Sequence, residues 1–294
     1  MSAVLSVPYR HKAAKSHPLI LLKSLTFRVD DINHQSNACV LRTAQNTYEI
    51  RVFAGLVREL ENYSERVIDS YPNLFQSLDR RDQKKTDIAR SYLFYLWLDF
   101  VIFHEWAHAL CGHLDFKAEV HEWYEMENEE FSAKALDDQT CQSLEAEAES
   151  YAAKFSLARF STCWEGLAKE LYPNRDGRAV LRDYLAAVLL LFRFFEELRL
   201  KAEKPRNTHP IPFNRAFIFF AFCLGEYGNI PGLPALSPQE KEMLFGVTAV
   251  EFYVKYLGID SGAYLLMSAE AAQFTASVGA TIEKIRLSDF RITK

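Results

Sequence analysis

Residues 92–103 read Tyr-Leu-Phe-Tyr-Leu-Trp-Leu-Asp-Phe-Val-Ile-Phe, a run that Asp99 alone interrupts, and they lead directly into His104-Glu105-Trp106-Ala107-His108. A helix that is apolar on every face belongs in a core. Polar groups at the buried end of such a helix are costly unless something charged compensates them. The chain must therefore bury this helix and supply a reason for two histidines and a glutamate at its end.

The spacing gives the reason. Positions i and i+4 of a helix differ by about 40° around the axis, so His104 and His108 can offer imidazole nitrogens to one ion. Glu105 stands about 100° from His104, beside the ligand face, where a carboxylate can act as general base on a water held by a metal. The pattern alone recurs by chance in surface helices, so a third ligand decides whether it has meaning. Glu145-Ala146-Glu147-Ala148-Glu149-Ser150-Tyr151-Ala152-Ala153 reads as a helix. Glu145 and Glu149 share a face at i and i+4, next to alanines that permit close packing, whereas Glu147 points about 200° away. Glu145 is the expected third ligand. Glu149 is expected to accept a hydrogen bond from a ligand histidine's second nitrogen, and Glu147 is expected to be a solvated charge. Two histidines, one glutamate and an open fourth position describe a catalytic rather than a structural Zn2+ site, and hydrolysis of a polarised carbonyl is its natural chemistry.

These residues resemble the zinc peptidases that combine HExxH with a downstream ExxA(D/E)xxA helix and a Thr-His-Pro followed by Arg. The second element matches residues 145–152, and the third matches Thr208-His209-Pro210-Ile211-Pro212-Phe213-Asn214-Arg215. The broad pattern is similar to the HtpX and CAAX-prenyl-protease group, whose members have clear transmembrane helices. Among soluble relatives the chain looks most like the Lit-type phage-exclusion peptidases, which share its short length, a β-rich start, a His five residues after HExxH (His113) and Asn-Thr-His-Pro (residues 207–210). The match covers about half the chain. The resemblance implies a zincin-like (gluzincin) fold, with Glu145 as ligand and with His209 and Arg215 near the active site to stabilise the tetrahedral intermediate. It departs in two respects. Glu149 stands where the family usually has Asp, which keeps the carboxylate, and an acidic insertion at 119–130 lengthens the link to Glu145 and reads as a solvated loop, with a substrate-facing lid as the alternative.

The other histidines and the cysteines have plainer readings. Gly112 is expected to end the HExxH helix. That leaves His113 on the far side of an ideal helix, in a capping or supporting role rather than as a ligand. His11, His17, His34 and His121 read as surface residues, and Cys111 as a core thiol. Five scattered cysteines without a CxxC suggest neither a disulfide framework nor a thiolate zinc site, which fits a reducing compartment.

Composition bounds the rest. With 294 residues, 49% of them hydrophobic, the chain can bury a sizeable core. A net charge of -5 and a pI near 5.9 leave no footprint for nucleic acid. The N-terminal apolar stretch is too short for a signal peptide. The apolar segments at 91–114, 185–200 and 216–224 carry charges or are too short for membrane spans and read as buried helices.

Residues 25–52 alternate and suggest a small antiparallel sheet, and from residue 53 onward the apolar spacing is helical. Without a convincing linker or repeat, the expectation is a single α+β, predominantly helical domain over residues 1–294. Its expected function is that of a cytoplasmic zinc metalloendopeptidase acting on a protein substrate, in a phage-defence or prophage-linked setting by the resemblance. The alternative is a non-catalytic regulatory protein that keeps the fold and acts by docking, against which the intact Glu105 argues.

Overall fold

In a computed structural model, residues 24–44, 47–71, 74–76, 78–114, 116, 137–172, 176–201 and 210–287 are described. Three strands, β1 (Ser24–Asp30), β2 (Ala38–Ala44) and β3 (Thr47–Phe53), precede an otherwise helical chain. The helices are α1 (Ala54–Ser70), α2 (Gln83–Leu110), α3 (Asp138–Leu171), α4 (Gly177–Lys201), α5 (Pro212–Glu226), α6 (Pro238–Val250) and α7 (Ser261–Leu287). A short 3-10 turn follows α5, and a π segment (Glu251–Tyr256) follows α6.

The sheet corrects the expectation of an all-antiparallel arrangement. Its order is β1-β3-β2, with β2 antiparallel and β1 parallel to the central β3. The connection after β1 explains this. Asp30 accepts hydrogen bonds from the backbone of Ile32 and Asn33, which turns the chain out of β1. The connection then crosses the end of β3, held by Phe53 N–H to the Asn37 carbonyl (3.1 Å) and Gly55 N–H to the Asn33 carbonyl (3.4 Å). At Gly55 the strands and helix meet so closely that a Cβ would lie 2.1 Å from the His34 carbonyl oxygen. Only glycine fits there.

β3 alternates as a half-buried strand should, with Tyr48, Ile50 and Val52 fully buried and their neighbours outward. β1, an outer strand of the sheet among the described residues, carries Leu25, Phe27 and Val29 exposed.

α2 is the axis of the molecule. Asp82 caps its start by accepting from Lys85 N–H. Leu93, Trp97 and Phe100 are fully buried along it. Trp97 fixes its rotation by donating from Nε1 to the Ala187 carbonyl of α4 at 2.7 Å, and Phe100 meets Phe192 of α4 and Phe219 of α5 edge to face. α3 lies along α2 as its most extensive neighbour and also packs against α5 and α7. Ala146, Ala148, Ala152 and Ala153 are buried along α3, and side chains of this size allow a close approach.

A second polar anchor sits away from α2. The buried Asp183 of α4 accepts from Phe75 N–H (3.1 Å), from the Tyr172 hydroxyl (2.6 Å) and from Arg182 (3.0 Å). Burial pushes the Asp183 carboxyl above its ordinary range, against the neighbouring Arg182 charge. Phe75 has φ +52°, a conformation that costs a non-glycine residue free energy, and its bond to Asp183 holds it there.

Candidate metal centre

The C-terminal turn of α2 carries His104 and His108 into the interior, where both are buried. Glu145 of α3 meets them. The Nε2 atoms of the two histidines are 3.1 Å apart, and Glu145 Oε2 lies 3.1 Å from His104 Nε2 and 3.3 Å from His108 Nε2. Three lone-pair atoms thus form a nearly equilateral triangle of the kind that can hold a metal ion. A tetrahedral zinc with ligands at about 2.0–2.1 Å has ligand-to-ligand edges of about 3.3 Å. The residues present therefore fit such an ion. Imidazole and carboxylate donors suit zinc and several of its first-row neighbours alike.

The two histidines differ in charge. Burial alone would lower the His104 imidazole, but hydrogen bonds to Glu145 and Glu149 outweigh it and raise the group to about 10. Burial pulls His108 down to about 3 despite Glu145. Without a metal, the cluster thus retains one positive charge, on His104, to balance the carboxylates.

Behind the triangle, Glu149 Oε2 lies 3.4 Å from His104 Nδ1 and accepts from Arg215 Nη2 (2.8 Å) and Nε (3.1 Å) of α5. Burial raises the Glu149 carboxyl, but Arg215 and His104 together hold it below its ordinary value. The Arg215 guanidinium also stacks over Phe192 and Phe195, 5.1 and 5.2 Å from the ring centres. Arg215, which the resemblance implies lies near the active site, pairs with Glu149 behind the triangle.

On the other side of the triangle the structure adds two residues. Glu147, expected to be solvated, is buried on α3. His113 has no exposed surface; its Nε2 is 3.0 Å from Glu147 Oε2, and its Nδ1 is 2.8 Å from His108 Nδ1. The helical projection misplaced Glu147, whereas His113 takes the supporting role read for it. α2 ends at Leu110, and Gly112 with φ +73° turns the chain back, so His113 no longer follows the axis of α2. Residues 143–149 of α3 are all buried, so Glu147 keeps little contact with solvent. The signal available in the sequence was the buried-size alternation Glu-Ala-Glu-Ala-Glu, which suits a solvated face poorly.

Glu105 is half-buried on the β2 side of α2. Its charge is the second cause, after burial, that pushes the Cys39 thiol up to about 11. His34 is exposed and Cys111 buried, as their plain readings required. His209, His11, His17, His121 and the acidic 119–130 stretch lie outside the described residues. Among the described residues no helix is long and apolar enough to cross a membrane. Comparison of the chain with protein-family models, with curated proteins and with solved structures finds no match.

Proposed function

We propose that the chain is a zinc-dependent metalloendopeptidase, with His104, His108 and Glu145 as ligands and Glu105 as general base. The observation that carries this reading is the convergence of three buried donor atoms from two helices at separations of 3.1–3.3 Å, next to a glutamate on the HExxH turn. Three protein ligands leave a coordination position for substrate chemistry, whereas a structural site is usually closed by four. A bound Zn2+ would supply Lewis acidity, lowering the pKa of water and polarising the scissile carbonyl. Glu105 takes the proton of the attacking water on its carboxylate and passes it to the departing amine. His209, by the resemblance to Thr-His-Pro peptidases, donates to the oxyanion. Arg215 acts one step back, holding Glu149 beside His104. The likeness to Lit-type phage-exclusion peptidases extends the reading to a cytoplasmic enzyme with a protein substrate in a phage-defence setting.

Metal analysis of purified protein beside Glu145→Ala and Glu105→Gln tests it. The expected result is about one zinc per chain in the wild type and in Glu105→Gln, strong loss in Glu145→Ala, and peptide cleavage, read by mass spectrometry on a peptide library, only in the wild type. A wild type without tightly bound metal, or one that shares its metal content with Glu145→Ala, would falsify the site. Biological activity unchanged in Glu105→Gln would favour a docking protein.

A further inference from the structure

His108 Nδ1, His113 Nδ1, His113 Nε2 and Glu147 Oε2 lie in series, with 2.8 Å and 3.0 Å across the two gaps, all buried. A nitrogen-to-nitrogen gap of 2.8 Å requires one proton between its atoms. If His108 gives its Nε2 lone pair to a metal, its Nδ1 must carry that proton and donate it. His113 Nδ1 is then the acceptor, so His113 Nε2 carries the other ring proton and points at Glu147. Every hydrogen position in the chain follows from the first.

We infer that Glu147 and His113 form a hydrogen-bond relay that sets the tautomer and orientation of the ligand His108. The relay rests on the reading of His104, His108 and Glu145 as metal ligands. Ligand histidines commonly lean on a carboxylate through the second ring nitrogen. Here the carboxylate is one imidazole further away, because Glu147 leaves α3 on a different face from Glu145 and the turn at Gly112 brings His113 into the gap between Glu147 and His108. At His104 a carboxylate stands in the corresponding place directly, with Glu149 Oε2 3.4 Å from Nδ1.

The same residues admit a rival use. Cys111, His113 and Glu147 have ligand atoms close enough to hold a second metal ion. The proton count opposes it. With His108 on the first ion and donating from Nδ1, a second ion on His113 Nε2 would leave His113 without a ring proton, as an imidazolate anion in the core. The relay instead leaves His113 a neutral imidazole that donates to the Glu147 carboxylate.

Zinc affinity measured by chelator competition, with Co2+ absorption as a second report on ligand geometry, tests the relay. Glu147→Ala and His113→Phe are each expected to weaken zinc about 10–100-fold, the usual effect of removing such a partner. Glu147→Gln keeps an oxygen acceptor at the same place and is expected to retain most of the affinity and the wild-type Co2+ spectrum. Two links in series fail together, so the double variant should bind zinc no more weakly than the poorer single one. Unfolding of each metal-free variant separates positioning from folding. Should His113→Phe not fold, the contrast between Glu147→Ala and Glu147→Gln decides.

Wild-type affinity in a folded Glu147→Ala, or additive losses in the double variant, would overturn the relay while the metal site stands. So would a second zinc in the wild type that Cys111→Ala removes. A wild type that binds no zinc overturns the metal reading, and the relay falls with it.

Discussion

Replacing Arg215 by Met should destabilise the metal-free protein in a way that depends on pH. Glu149 is 2% exposed, and both of its ordinary hydrogen bonds come from Arg215. Without the guanidinium the carboxylate keeps only His104 as a charged neighbour, and it must stay charged in the core against that single partner or take up a proton. Protonation sets the ceiling on the cost. For a carboxyl of ordinary pKa 4.5, holding the proton at pH 7 costs about 3.4 kcal/mol, and at pH 5 about 0.7 kcal/mol, at about 1.36 kcal/mol per pH unit.

The sign follows from the two folded states. In the wild type the Glu149 pKa is depressed, so its contribution is present above the unfolded value and is lost as pH falls through the folded one. In Arg215→Met it is raised, and stability is lost as pH rises. The gap between wild type and variant should therefore widen between pH 5 and pH 7, by at most about 2–3 kcal/mol. Urea unfolding followed by circular dichroism, in the presence of a chelator, measures it at both values. A gap that is the same at pH 5 and pH 7 would show that Arg215 contributes packing over Phe192 and Phe195 rather than charge, and would refute the argument.

Zinc uptake at pH 7 should release about one proton per ion into weakly buffered solution, because His104, raised to about 10, must lose its proton to bind; a calorimetric titration in buffers of different ionisation enthalpy that finds no release contradicts the charge assignment. Gly55→Ala puts a methyl 2.1 Å from one backbone carbonyl oxygen and 2.4 Å from another, neither of which can move freely, and should cost at least about 2 kcal/mol in thermal or urea unfolding. Asp183→Ala strips acceptors from Phe75, Tyr172 and Arg182 at once; an expected loss of about 3–5 kcal/mol is read in the same assay, and a loss below about 1 kcal/mol would mean that water replaces the carboxylate.

The helical part of the fold was legible because Phe53 onward repeats at helical spacing, and α1 begins at Ala54. The strands were legible as strands, but the pairing was not. Alternation specifies which face is inward, while the parallel β1–β3 pair depends on a connection pinned by backbone bonds at Phe53 and Gly55. Local spacing also placed His104, His108, Glu145 and Glu149 on common faces, and the structure brings these four together. His113 was legible in its supporting role beside the helix that Gly112 ends, but its partners were not, because beyond that glycine no helical projection applies; Glu147 escaped because the projection assumes that one face meets solvent. The axis stops at Leu110, and α3 has no solvent face there.

Glu145, Glu147 and Glu149 follow one another at every second position of α3, yet each carboxylate answers to a different part of the chain. For protein design this means that the centre is not portable as a pair of motifs. Transplanting HExxH and the Glu-Ala-Glu-Ala-Glu stretch onto another two-helix scaffold would carry the three donor atoms but leave two buried carboxylates unanswered. The reversal at Gly112 and the Arg215 contributed by α5 belong to the minimal graft as much as the ligands do.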